Sequence, residues 1–190
     1  MASDLFVILC GSYEGLEVSE LHGALEATGT DCSRKPTIPN VSRITCETAG
    51  AMKVTKRLAL SFFLCQEILF SRASPRDVIN QIRRGLNIPE TSSFRVKVRR
   101  LRKAIPPQEV MKLERDIGEV LSSDLRARVD LQNPGTEFIM YVTCEGFVFG
   151  TKLGTTARGE LKWRSNKMKP FKHSSTLQPD LSRVLVNLAR

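Results

Sequence analysis

Apolar and polar positions follow two different periods along this chain, and the switches between them mark its elements. Leu5–Cys10 is a short apolar run closed by Gly11, the pattern of a buried strand. From Val18 to Ala27 the apolar residues Val18, Leu21, Ala24 and Leu25 fall on one face of a helix that Gly29 ends. Residues 30–41, with Pro36, Pro39 and Asn40, read as a loop, and Val41–Ala49 alternates as a half-buried strand. Met52–Phe70 reads as a helix running into a buried continuation. Ser74-Pro75 opens another helix, with Val78, Ile79 and Ile82 inward and Gly85 at its end.

The second half is clearer. Ser93–Lys103 has period two: Phe94, Val96 and Val98 alternate with Arg95, Lys97 and Arg99, so the strand has one apolar and one cationic face. Pro106-Pro107 opens a long helix whose stripe is Val110, Leu113, Ile117, Val120 and Leu121. Asn133-Pro134-Gly135 signals a turn, and strands over Glu137–Thr143 and Phe147–Leu153 join as a hairpin near Glu145-Gly146. Residues 154–172 are polar and basic, a linker or arm. Leu181, Val184, Leu185 and Leu188 then sit at helical spacing after Pro179. The sequence stops at Arg190 without a capping turn, so this helix is expected to pack on something further along or on a partner.

Charge sharpens the picture. The net charge of +9 is confined to one half: residues 1–92 hold 10 basic and 10 acidic residues, whereas 93–190 hold 19 and 10. A confined positive field attracts polyanions at long range. A membrane is the weakest of the candidate partners. The longest apolar stretch, Leu58–Cys65, falls far short of the ~20 residues a spanning helix needs, and the N-terminus lacks a signal-peptide pattern. The five cysteines include no CxxC pair and there are two histidines, which argues against zinc and for reduced thiols in a cytoplasmic protein. No P-loop, HExxH or placeable Ser–His–Asp set is present, and Gly146–Gly150 fits no dinucleotide fingerprint.

Three motifs carry chemistry. The first is the basic strand, with Arg95, Lys97, Arg99, Arg100, Arg102 and Lys103. It is either an RNA-backbone groove or a sheet face paired with neighbouring acids; arginine's planar fork suits phosphate. The second is the arm, with Lys152, Arg158, Lys162, Arg164, Lys167, Lys169 and Lys172 around Trp163 and Phe171. Cations interleaved with rings suit single-stranded nucleic acid; the alternative is a linker whose Trp163 docks on the core. The third, Asp130-Leu-Gln-Asn-Pro-Gly, reads as a turn in which Asp130 acts as a cap.

The ordered set SPRDVINQIRR, SFRVKVRR, PPQEVMKLERDIGEVL, VDLQNPGTEFIMYVT and EGFVFGTKL, preceded by KRLALSFFLCQEILF, resembles a THUMP domain with the small ferredoxin-like domain that accompanies it. The run Pro170-Phe171, His173, Leu177, Pro179, Leu181, Arg183 and Val186-Asn187-Leu188 is similar to the segment entering the catalytic domain of archaeal tRNA methyltransferases that modify the exocyclic amine of guanosine 10. Ser174 stands where that segment has a proline.

The resemblance implies an α+β chain. It would consist of a ferredoxin-like domain over 1–50, a THUMP RNA-binding domain over 51–155, and a basic linker and helix over 156–190 leading to a methyltransferase domain or subunit. It implies a partner, tRNA, held at its acceptor end and single-stranded 3′ tail. The RNA-binding residues would be Arg95, Lys97, Arg99, Arg100, Arg102, Lys103, Lys152, Arg158, Lys162, Trp163 and Arg164. S-adenosylmethionine is expected in the catalytic domain and no cofactor, metal or catalytic residue within these 190 residues. The alternatives are a tRNA-binding subunit of a split enzyme, or the THUMP module of a thiouridine synthetase or pseudouridine synthase.

Overall fold

The computed structural model describes residues 2–165, 168, 170 and 176–189; the side chain of Lys162 also lies outside the described set. The chain forms two compact units. The first takes residues 1–64 and returns for 153–190; the second is residues 65–152.

The first unit runs β1 (Ala2–Leu9), α1 (Leu16–Ala27), β2 (Cys32–Lys35), β3 (Val41–Glu47), α2 (Thr48–Thr55) and the start of β4 (Ser61–Ser71). Its strand order is β2-β3-β1-β4, and β3 pairs antiparallel with both β1 and β2. This βαββαβ order is the ferredoxin-like arrangement that the resemblance implied. It completes only with β4, beyond residue 50. Leu5, Val7, Leu21, Leu25, Ile44, Val54, Leu58 and Leu64 form its core.

Two local expectations are corrected. Met52–Phe70 is not a helix: α2 ends at Thr55, and Ser61–Ser71 is a strand. A short, mostly apolar run such as Leu58–Cys65 has no clear period to distinguish helix from strand, and the aromatic residues Phe62, Phe63 and Phe70 fit a pleated surface. Residues 30–41 are not all loop, because Cys32–Lys35 pairs along β3 as a four-residue edge strand.

Past residue 155 the polar stretch forms a 3-10 helix over Ala157–Arg164, and α5 (Pro179–Ala189) follows. Helix α5 packs on α1 and buries Val184 and Asn187. The two helices come close at Gly23: a Cβ there would lie 3.0 Å from the Asn187 carbonyl oxygen. The stripe expected to await a partner is therefore partly used within this unit. Leu185 and Val186 remain exposed.

The second unit holds the rest of β4, α3 (Asp77–Arg83), β5 (Ser93–Arg100), α4 (Pro107–Leu125), β6 (Arg128–Val129), β7 (Thr136–Thr143) and most of β8 (Gly146–Thr155). Its order is β4-β8-β7-β5-β6, with β5 parallel to β7 and β6, and β7 antiparallel to β8. The helical stripe Leu113, Ile117 and Leu121 meets Phe94, Val98, Phe138, Met140, Phe147 and Phe149 in one core. Gly146 makes the β7–β8 hairpin possible: its φ is 138°, and a Cβ would meet the Ser71 carbonyl oxygen at 2.3 Å. Asp130 is the turn cap expected. Its Oδ1 accepts from the amides of Gln132 at 3.0 Å and Asn133 at 2.9 Å, and these bonds hold its carboxyl below the usual range.

Candidate nucleic-acid interface

Strand β5 alternates as the sequence dictates. Phe94 and Val98 are buried in the helix-covered core, so Arg95, Lys97 and Arg99 project from the other face. The parallel register sets Arg95 beside Glu137, Lys97 beside Ile139 and Arg99 beside Tyr141.

Glu137 divides this cationic face in two. Its Oε1 accepts from Arg95 Nη2 at 2.8 Å and its Oε2 from Lys152 Nζ at 2.7 Å. The Glu137 side chain is only 11% exposed. Burial pushes its carboxyl up, but Lys152 and Arg95 outweigh that and the net direction is down. One carboxylate thus holds two of the expected RNA-binding cations. Arg100 is also engaged internally, donating to the Ile105 carbonyl oxygen. Arg99 is half-buried beside the buried Tyr141.

Lys97, Arg102 and Lys103 differ. All three are exposed, and among the described residues they make no ion pair. Arg102 adopts a left-handed φ of 51° just past the strand's end, so the chain turns there with both cations outward. Lys97 on β5, and Arg102 and Lys103 just past its end, are therefore the exposed cations of the basic segment. Arg83 and Arg84 add two exposed cations at the end of α3. Sequence reading passed them over, although an adjacent arginine pair ahead of Gly85 is a visible signal.

In the other unit the arm separates similarly. Arg158 is half-buried and engaged within the unit: it donates to the Ala59 carbonyl oxygen at 3.1 Å, lies 5.3 Å over the Phe62 ring and approaches Asp180 at 4.0 Å. Trp163 is 63% exposed, which excludes docking on the core. The exposed Arg164 guanidinium sits 4.7 Å over its ring, a cation–π pair on the surface. The Lys162 side chain and the arm's Lys167, Lys169, Phe171 and Lys172 lie outside the described residues, as do His173 and Ser174.

Among the described residues there is no cluster of three or more metal-ligating side chains and no helix long and apolar enough to cross a membrane. The clefts between α3 and α4, between the 3-10 helix and α5, and beside β5 and α4 have no glycine-rich turn in their walls.

No protein-family model matches the chain. In sequence it is 24% identical over 187 residues to the tRNA (guanine(10)-N2)-dimethyltransferase of Methanothermobacter thermautotrophicus, covering 98% of this chain and 54% of that protein. Among solved structures it is similar to TrmN from Thermus thermophilus, with a TM-score of 0.63, 22% identity, and coverage of 98% of this chain and 54% of that one. It is also similar to PH1313 from Pyrococcus horikoshii Ot3, with a TM-score of 0.53, 17% identity, and coverage of 80% and 54%. The chain spans about half the length of the curated relative it matches. The fold is the α+β arrangement of a ferredoxin-like domain joined to a THUMP domain.

Proposed function

We propose that this chain is the tRNA-binding portion of a tRNA guanine methyltransferase, holding the acceptor 3′ end so that a catalytic domain outside these residues reaches its target. The observation that carries the reading is the match along 98% of the chain to an enzyme named for tRNA modification. The exposed cations support it. Lys97, Arg102 and Lys103 present charge for phosphates, and Trp163 presents an open ring on which a single-stranded base can stack.

In this reading the THUMP domain, expected over 51–155, is centred on the compact unit of residues 65–152. Residues 1–50 form most of the ferredoxin-like domain, and 156–190 form the linker. The outer face of α5, with Leu185 and Val186 exposed, is available to a methyltransferase domain or subunit. S-adenosylmethionine would serve as methyl donor in that other half, and the protein would work in the cytoplasm.

The test is a fluorescence-anisotropy titration with tRNA, a duplex RNA of equal length and anionic vesicles as separate ligands. Preference for tRNA supports the reading. Equal binding of both RNAs makes the chain a generic duplex binder, and vesicle binding without RNA binding overturns it.

A further inference from the structure

Two of the five cysteines stand opposite each other. The antiparallel register of β2 and β3 pairs Cys32 directly with Cys46. Both are free thiols, Cys46 buried and Cys32 half-buried on the sheet's edge strand. Directly opposed residues on antiparallel strands have Cα atoms about 4.5–5.5 Å apart, within the about 4.4–6.8 Å a disulfide spans. Opposed residues of an antiparallel pair send their side chains to the same face, so the two thiols lie side by side on the sheet. The pairing is held from outside as well: Lys35 at the end of β2 donates to Asp4 on β1 at 2.6 Å, and Thr45, next to Cys46, donates to the other Asp4 oxygen at 2.6 Å. Edge strand and neighbour are thus locked in a register that keeps the two sulfurs together.

We propose that Cys32 and Cys46 form a disulfide site that closes when the protein meets a small-molecule disulfide such as oxidised glutathione. Cys32, on the open edge, is the sulfur such a reagent reaches. As its thiolate it attacks one sulfur of the glutathione disulfide. That S–S bond breaks, and the first glutathione leaves as a thiolate and takes up the proton Cys32 lost. Cys46, deprotonated in turn, attacks the Cys32 sulfur; the mixed disulfide breaks and the second glutathione leaves with that proton. Two protein thiols become one disulfide, and one glutathione disulfide becomes two thiols. Burial raises the Cys46 and Cys32 thiols above their ordinary titration range, so few thiolates are present and the reaction is slow. The product staples the edge strand to its neighbour across the turn that contains Pro36 and Pro39. This inference is independent of RNA binding.

The native full chain is incubated with oxidised glutathione, quenched by alkylation and digested without reduction. The expected result is a peptide joining Cys32 to Cys46, a loss of two titratable thiols beyond that of Cys144, and no joined peptide in Cys32→Ser or Cys32→Ala. Cys144 is exposed and serves as the internal control for the oxidant. Glutathione on Cys144 with Cys32 and Cys46 both still alkylated overturns the proposal. A stable glutathione adduct on Cys32 without the cross-link overturns it too.

Discussion

Asn187 Nδ2 donates to Glu20 Oε1 at 2.8 Å, joining α5 to α1 across 167 residues of sequence. Both side chains are buried. The same Asn187 nitrogen donates to the Arg57 carbonyl oxygen at 2.9 Å, and the Glu20 carboxylate also accepts from the amides of Ala59 at 2.8 Å and Leu60 at 2.9 Å. Burial pushes the Glu20 carboxyl up, and the donors around it, the Ala59 and Leu60 amides foremost, pull it back in part. A single cluster therefore anchors the last helix to the loop before β4.

Removing Asn187 takes one of three donors from a buried carboxylate. Asn187→Ala is expected to destabilise the protein by about 1–3 kcal/mol. Leu185→Ala, at a position 58% exposed on the same helix, should cost under about 0.5 kcal/mol. Urea unfolding of the two variants checks this, and equal midpoints would contradict the anchoring role.

Glu137 predicts a pH dependence. Its folded-state carboxyl titrates below the usual range, so the stability it contributes is complete above that range and is lost as pH falls through the folded value. Glu137→Gln should lower the urea midpoint at neutral pH, by about 1–3 kcal/mol of stability, and leave it close to wild type in strong acid. A difference that persists unchanged into acid would show that packing, not charge, is at work.

Loosening the hold of Glu137 on Arg95 also has a consequence for RNA. The same Glu137→Gln protein should bind tRNA more tightly than wild type. By contrast, reversing exposed charge with Lys97→Glu and Arg102→Glu should weaken binding at least tenfold, about 1.4 kcal/mol. Arg95→Ala should have a smaller effect, because its charge is already met by Glu137. Gel-shift titrations of the four proteins rank these effects, and an Arg95→Ala loss as large as that of the double reversal would place the interface elsewhere on the strand.

Trp163 should matter for single strands alone. Stacking a base on an open ring contributes about 1–3 kcal/mol. Trp163→Ala is expected to weaken binding of a single-stranded oligonucleotide by at least several-fold and to leave duplex binding unchanged. Anisotropy with matched single- and double-stranded RNAs measures both.

The cationic strand, the long helix and the closing hairpin were legible because each rests on a local period: Phe94, Val96 and Val98 at every second residue, Leu113, Ile117 and Leu121 at helical spacing. Strand β4 was not, since the run through Phe62, Phe63 and Leu64 carries no period and only its neighbours in space decide its form. Strand β2 is four residues long and has one apolar side chain, too little for a pattern. The division of the basic strand was hidden for another reason. Glu137 lies 42 residues from Arg95, and only the sheet register brings the two together. Glu20 and Asn187 are 167 residues apart, and only the packing of α5 on α1 brings them together.

The most direct measurement compares affinity for one tRNA with its 3′ tail intact and with the tail removed, across a series of salt concentrations. Binding through phosphates and a stacked tail predicts tighter binding of the intact tRNA and a log–log salt slope of about −0.7 for each single-strand phosphate neutralised. Equal affinity for both forms, or binding indifferent to salt, would contradict it.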